Sequence, residues 1–300
     1  MNRRRFLQKT AASGAAFAAT PFFIVKPLQP DFTNRIGLTT VVFRNRFQAT
    51  CPKGMALQDE LTLLDIPEYF TDRFGIHQIE LWAKHFESNS PAYLEDLKKQ
   101  LKKHRCTLID IQAEASYDIS DPNEAVRAKG LSEMKTWIDT GATLEAQFVR
   151  ISAMKKSYEK SVESVKYLTQ YAASKGIQTL VENHFDLFSN PENHVAIIKD
   201  VASNKLGLLA DFGNYPPSTA QYDALKKIAP FTKLVSAKTS EFDERMQHTS
   251  FDFGRCVNIF KEMNYQGVYA LEQWGKPNPA YDEEKITDWM ISEVSARLAS

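Results

Sequence analysis

The chain has 300 residues, 37 basic and 37 acidic side chains, a formal net charge of zero, 43% hydrophobic residues and 25% charged ones. This is the profile of a globular enzyme, and it lacks the basic excess of a nucleic-acid binder. Three scattered cysteines, Cys51, Cys106 and Cys256, give no disulfide framework, and the absence of CxxC and HExxH spacings excludes a zinc finger or a zincin.

At the start of the chain, Arg3-Arg4-Arg5-Phe6-Leu7-Gln8 fits the twin-arginine export pattern. A weakly apolar, alanine-rich stretch follows over 11–19, and Ala16-Phe17-Ala18 offers a small-residue cleavage site. These features predict a signal peptide and linker over 1–30, passage through the twin-arginine export machinery, a periplasmic or secreted product, and one domain over 31–300. No later run reaches the ~20 apolar residues that span a bilayer, so the mature chain is expected to be free of the membrane.

From residue 35 short apolar runs alternate with helical stretches. The runs predict strands at 36–43, 76–82, 106–112, 147–152, 177–182, 206–210, 232–238 and 267–272. Between them, 91–104 sets Leu94, Leu97 and Leu101 on one face, and 157–175 does the same with Val162, Val165, Leu168 and Ala172. Asp65 is expected to cap a helix with Pro67 in its first turn, and Gly75 and Gly176 to end helices. Eight such units of roughly 33 residues predict a single (β/α)8 TIM barrel. A doubly wound open sheet would carry a glycine-rich loop after its first strand, and 39–45 contains none.

In such a barrel the strand ends at the C-terminal face hold the active site. Glu182, Asp211 and Glu272 each end an apolar run, in LVENH, LLADFGN and GVYALE. Carboxylates grouped in this way suit a divalent metal, Mn²⁺ or Mg²⁺, with Co²⁺ or Zn²⁺ favoured if His184 or His248 adds an imidazole. A metal can stabilise an enediolate while Glu182 and Glu272, on opposite sides, move a proton at carbon. Lys238 ends strand seven and is expected to pair with one of these acids or hold a substrate oxygen. Candidates for substrate contact are His184, Arg150, Glu80, Glu114, Asn214 and Trp274, with structural ion pairing the alternative role of Arg150 and a turn that of Asn214.

Together with IELW, FVRIS and LVSAK, these segments resemble the xylose-isomerase-like TIM barrel superfamily of sugar phosphate isomerases and epimerases. The likeness runs from Ile36 to the C-terminus, and LLDIPEYFTDRFGIHQIEL is similar to a secreted bacterial branch. The resemblance implies a metal held by Glu, Asp, His and Glu on strands five to eight. Glu182, Asp211 and Glu272 match three of these, whereas Ser236 stands where relatives have His.

The expected activity is metal-dependent isomerisation or epimerisation of an unphosphorylated or oxidised sugar through an enediolate. Alternatives are a keto-glycoside lyase on the same site, a non-catalytic sugar-binding barrel, and an AP-endonuclease-like phosphodiesterase. The partner is a small carbohydrate rather than a nucleic acid, and the sequence leaves the oligomeric state open.

Overall fold

A computed structural model describes residues 32–184, 187–216, 219–275 and 281–300. The expected signal peptide, 1–30, lies outside the described residues. Eight parallel strands close into a barrel in chain order: β1 (Ile36–Thr39), β2 (Gln78–Trp82), β3 (Thr107–Gln112), β4 (Phe148–Ile151), β5 (Gln178–Glu182), β6 (Leu206–Asp211), β7 (Thr232–Thr239) and β8 (Val268–Gln273). β1 pairs with both β2 and β8, so no edge is left open. The helices are α1 (Ile66–Phe74), α2 (Pro91–Lys103), α3 (Glu124–Leu144), α4 (Tyr158–Ser174), α5 (Pro191–Val201), α6 (Gln221–Ile228), α7 (Phe253–Glu262) and α8 (Glu283–Ala299). Among the described residues no helix is long and apolar enough to cross a membrane.

The strands follow the expected runs closely except at the first. The chain leaves β1 at Thr39 and coils into a 3-10 helix over Thr40–Arg46, where Thr39 Oγ1 accepts a hydrogen bond from Val41 N. Val41, Val42 and Phe43 are β-formers, but all three are buried, Val42 and Phe43 within the main apolar core. Tertiary packing here overrides strand propensity.

Local signals explain most helix ends. Ser90, Ser157, Asn190 and Asp252 each accept a hydrogen bond from a backbone N–H in the first turn of α2, α4, α5 and α7. Gly75 adopts φ 66° after α1 and donates to Phe70 O and Thr71 O, closing the helix as expected of a left-handed cap. Asp65 precedes α1 but does not cap it. Its carboxylate accepts instead from Thr62 N and Thr62 Oγ1, and so stabilises the preceding turn.

Two buried histidines tie the scaffold together. His194 in α5 donates from Nε2 to Val181 O at 2.8 Å, bolting the helix to β5. His85 sits between Thr40 Oγ1 and Thr50 Oγ1 and stacks on Phe47 with centroids 3.7 Å apart. Burial pushes His194 down to about 4 and His85 down to about 3. In the unfolded chain both titrate near 6.5. Their contribution to stability is complete above that value and is lost as pH falls from it toward the folded values. Between pH 6.5 and 4.5 the two histidines together should contribute a fall of about 2.7 kcal/mol per pH unit, opposed by the buried acids whose values are raised. Urea unfolding of wild type beside His194→Gln reads the histidine share by difference. His194→Gln should remove about half of that slope.

Candidate active site

Strand periodicity builds the site in two layers. Ile109, Leu180, Leu209, Leu234 and Ala270 form a compact apolar cluster inside the barrel, with Phe148 and Val268 against it. Side chains two residues apart on a strand share a face. Two residues beyond Phe148, Leu180, Leu209, Leu234 and Ala270 come Arg150, Glu182, Asp211, Ser236 and Glu272. The apolar floor therefore carries a polar layer directly above it, at the C-terminal ends of β4 to β8. Register aligns Asp211 with Ser236 and Lys238 with Glu272.

Each of two cations gathers part of this layer. Arg150, fully buried, holds Glu80 Oε1 at 2.8 Å from Nη2, Asp110 Oδ2 at 3.2 Å from Nε, and Glu182 Oε2 at 3.0 Å from Nη1. Lys238 Nζ donates to Asn214 Oδ1 at 2.8 Å and lies 3.3 Å from Glu272 Oε1 and 3.7 Å from Asp211 Oδ2. Asn214 joins the two groups by donating from Nδ2 to Glu182 Oε1 at 3.0 Å. Ser236 Oγ donates to Glu272 Oε2 at 3.4 Å.

Five carboxylates thus face two cations, and protons make up part of the difference. Burial pushes Asp211 up to about 8 and Asp110 up to about 6. Burial likewise moves Glu80 well above the carboxylate range. Glu182 goes the other way. Burial opposes its charge, but Arg150, His184 and Lys238 outweigh that and hold it below the usual range. Lys238 is also shifted upward: desolvation works against its charge, and Asp211, Glu272 and Glu182 more than compensate.

A cavity of about 400 Å³ opens above this layer, lined among others by Trp82, Lys84, Glu114, Arg150, Glu182, His184, Lys238, Glu272 and Trp274. Trp274 is 45% exposed and meets Trp82 edge to face at 5.7 Å, while Arg44 lies 4.7 Å from the Trp274 ring. Glu114 Oε1 accepts from Trp82 Nε1 at 2.6 Å, and its other oxygen pairs with Lys84 at 3.1 Å. Ala153, also in the lining, has φ 63°, a left-handed conformation that costs an alanine energy.

Most of the residues singled out from sequence therefore meet at one mouth, at different depths. Glu182, Glu272, Lys238, Arg150, His184, Glu114 and Trp274 line the cavity. Glu80, Asp211 and Asn214 lie beneath it with no exposed surface. His248 is elsewhere engaged: Nε2 accepts from Ser240 N at 3.1 Å and Nδ1 faces Phe251 O at 3.1 Å. With both ring nitrogens committed, it does not serve as a metal ligand.

The expected metal set is not assembled. Among the described residues no three His, Cys, Asp or Glu side chains are grouped to hold an ion. Arg150 and Lys238 divide the acids between them, and Ser236 supplies no imidazole.

Three contributors escape the one-dimensional pattern. Asp110 is hidden in the apolar run of β3. Asn183 exchanges two hydrogen bonds with the Asp211 backbone, at 2.9 and 2.8 Å, and so fixes the end of β6 against β5. Its place between Glu182 and His184 is the only sequence signal for it. Lys84 follows β2 in a short 3-10 turn and reads as a surface residue.

Comparison with known proteins agrees with this architecture. No curated protein sequence matches the chain. Among solved structures, D-psicose 3-epimerase from Clostridium cellulolyticum H10, with D-tagatose, superposes with a TM-score of 0.63 at 15% identity, over 88% of this chain and 96% of that one. The 3-keto-D-glucoside 4-epimerase of E. coli gives 0.64 at 15% identity, over 86% and 99%. A xylose isomerase-like TIM barrel protein from Mycobacterium smegmatis, in complex with magnesium, gives 0.62 at 17% identity, over 88% and 97%. At these identities the likeness is one of fold. The sequence itself matches the model of the xylose isomerase-like TIM barrel over residues 70–292. With the closed eight-stranded barrel, that match places the chain in the xylose isomerase-like TIM barrel family.

Proposed function

We propose that the chain is a sugar epimerase or isomerase acting by proton transfer at carbon. The observation that carries this reading is the placement of Glu182 and Glu272 in one cavity wall, from β5 and β8, with the Lys238 ammonium beside Glu272. One carboxylate takes the proton next to a sugar carbonyl, and negative charge gathers on the carbonyl oxygen, where Lys238 can donate a hydrogen bond. The other carboxylate returns a proton to the opposite face. Return at the same carbon inverts it, whereas return at the neighbouring carbon, with the hydroxyl proton passing from one oxygen to the other, exchanges aldose and ketose. If the enediolate of a keto-glycoside expels its aglycone instead, the same site acts as a lyase.

Family membership and the epimerases that share the fold support a carbohydrate substrate. The Trp82 and Trp274 indoles provide an apolar wall suited to the C–H face of a sugar ring. We favour an unphosphorylated or oxidised sugar on the export signal read from Arg3 to Gln8 rather than on charge, because Lys84, Arg150, Lys155 and Lys238 line the cavity beside Glu114, Glu182 and Glu272. The zero net charge of the chain weighs against a nucleic-acid phosphodiester. Export through the twin-arginine route, read from Arg3 to Gln8, belongs to this proposal and would place the enzyme among such free sugars.

A metal-dependent form of the reaction is favoured by one observation: Asp211 Oδ2 is buried without a hydrogen-bond partner. An ion there would supply Lewis-acid polarisation of substrate oxygens. The arrangement of side chains does not fit an ion, and every step above is carried by residues of the chain.

The test is incubation in deuterated water with free ketoses, aldoses and 3-keto-glycosides, followed by NMR. Deuterium should enter one carbon as a second epimer or isomer appears. Binding of these sugars with no exchange in any of them would make the chain a sugar-binding barrel and overturn the proposal.

A further inference from the structure

We infer that Lys238 occupies the seat a divalent cation would need between β6, β7 and β8, so that this barrel carries its own cation and takes up no metal. The inference concerns the site of the proposed epimerase, but it rests on the side chains alone.

The first ground is the ammonium's surroundings. Nζ donates to Asn214 Oδ1 at 2.8 Å and stands 3.3 Å from Glu272 Oε1 and 3.7 Å from Asp211 Oδ2. These three residues come from the ends of β8 and β6 and from the turn after β6, so one ammonium spans the groups an ion would have to draw together. A divalent ion needs oxygens at roughly 2.0–2.6 Å. An ion placed between Asp211 and Glu272 at that distance would stand against Nζ, charge against like charge.

The second ground is how the lysine is seated. It is only 6% exposed, and its stem passes close to the backbone at Gly213. A Cβ on Gly213 would stand 3.3 Å from Lys238 Cδ and 3.4 Å from Cγ, tighter than most side chains tolerate. The residue two beyond Asp211 thus leaves room for the lysine stem.

The third ground is that β7 offers no imidazole. Ser236, in register with Asp211, turns its hydroxyl to Glu272. A neutral hydroxyl is a weak ligand for Mn²⁺ or Zn²⁺. His248 has both ring nitrogens engaged. Among the described residues, the Lys238 ammonium, the Asn214 amide and the Ser236 hydroxyl each donate to a polar group of this cluster. In turnover this ammonium, which also lines the cavity, takes the place of a Lewis acid at the substrate oxygen.

Isothermal titration of the full chain with Mn²⁺ alone, after treatment with chelator, tests the inference without reference to any sugar. Wild type should bind no Mn²⁺ at millimolar concentration. Lys238→Met, which keeps the stem and removes the charge, should gain Mn²⁺ affinity by about tenfold or more. If that variant does not fold, Lys238→Gln, which retains a donor toward Asn214, replaces it. One Mn²⁺ bound per wild-type chain would overturn the inference. Absence of binding in both proteins would also overturn it, because Lys238 would then be keeping no ion out. Neither result depends on turnover, so the sugar reading can fail while this one stands.

Discussion

Glu182→Gln and Glu272→Gln should each lower turnover by about 10²- to 10⁴-fold, with KM changed far less, because each removes a group that accepts or returns the migrating proton. The two losses should be mirror images. If the carboxylates stand on opposite faces of the sugar, one variant still exchanges solvent deuterium into one epimer but not the other, and the second variant shows the reverse. Deuterium exchange measured separately from each epimer distinguishes this from a general loss of binding. Equal loss from both epimers in both variants would rule out two opposed bases. The glutamines are isosteric, so the folded frame should survive. Glu182→Gln nevertheless weakens a charge-assisted bond to Arg150 Nη1, and should lower stability by about 1–3 kcal/mol. Circular dichroism and urea unfolding of both variants separate that structural cost from the catalytic one.

How much of this was legible in the sequence depends on the range of the interaction. The barrel follows from alternation and period two, which are local, and the strand-end acids Glu182, Asp211 and Glu272 follow from the same rule. Thr39 shows where local reading ends. Nothing in the run from Ile36 to Phe43 signals that the chain coils after the fourth residue, because the cause is packing of Val41 to Phe43 into the core. The site shows it more sharply. Arg150 is joined to Glu80 and Glu182, 70 and 32 positions away, and no spacing rule links them. The sequence reading expects Lys238 to pair with one of the three acids and offers ion pairing for Arg150, but strand position alone does not say which acids each cation takes. Only the closed barrel brings Lys238 between Asp211 and Glu272. Ser236 was the one local sign that this site departs from its relatives.

Arg150→Met should lower the unfolding free energy by about 3–5 kcal/mol, the usual cost of removing one partner from a buried ion cluster. That is a large share of the ~5–15 kcal/mol by which domains are stable. The physical reason is the geometry of the guanidinium. It sits with 1% exposure above the apolar floor and satisfies Glu80, Asp110 and Glu182 through separate nitrogens. Methionine fills much of the volume but leaves three buried carboxyls without their counter-charge. Arg150→Lys retains the charge but not the fork, and should recover only part of the loss. The sign of the pH dependence is fixed as well. Without the guanidinium the folded pKa values of Glu80 and Asp110 rise further above those of the unfolded chain, and Glu182 loses the charge that holds its own value down. A raised carboxyl loses stability as pH climbs from the unfolded value through the folded one. The gap between wild type and Arg150→Met should therefore be wider at pH 8 than at pH 5, where protons replace the missing cation. Glu80→Gln in the Arg150→Met background removes one of the stranded acids and should restore part of the stability, most visibly at pH 8. Urea unfolding at the two pH values decides it. A variant within about 1 kcal/mol of wild type at both would mean that the cluster contributes no net stability, as some buried ion pairs do not.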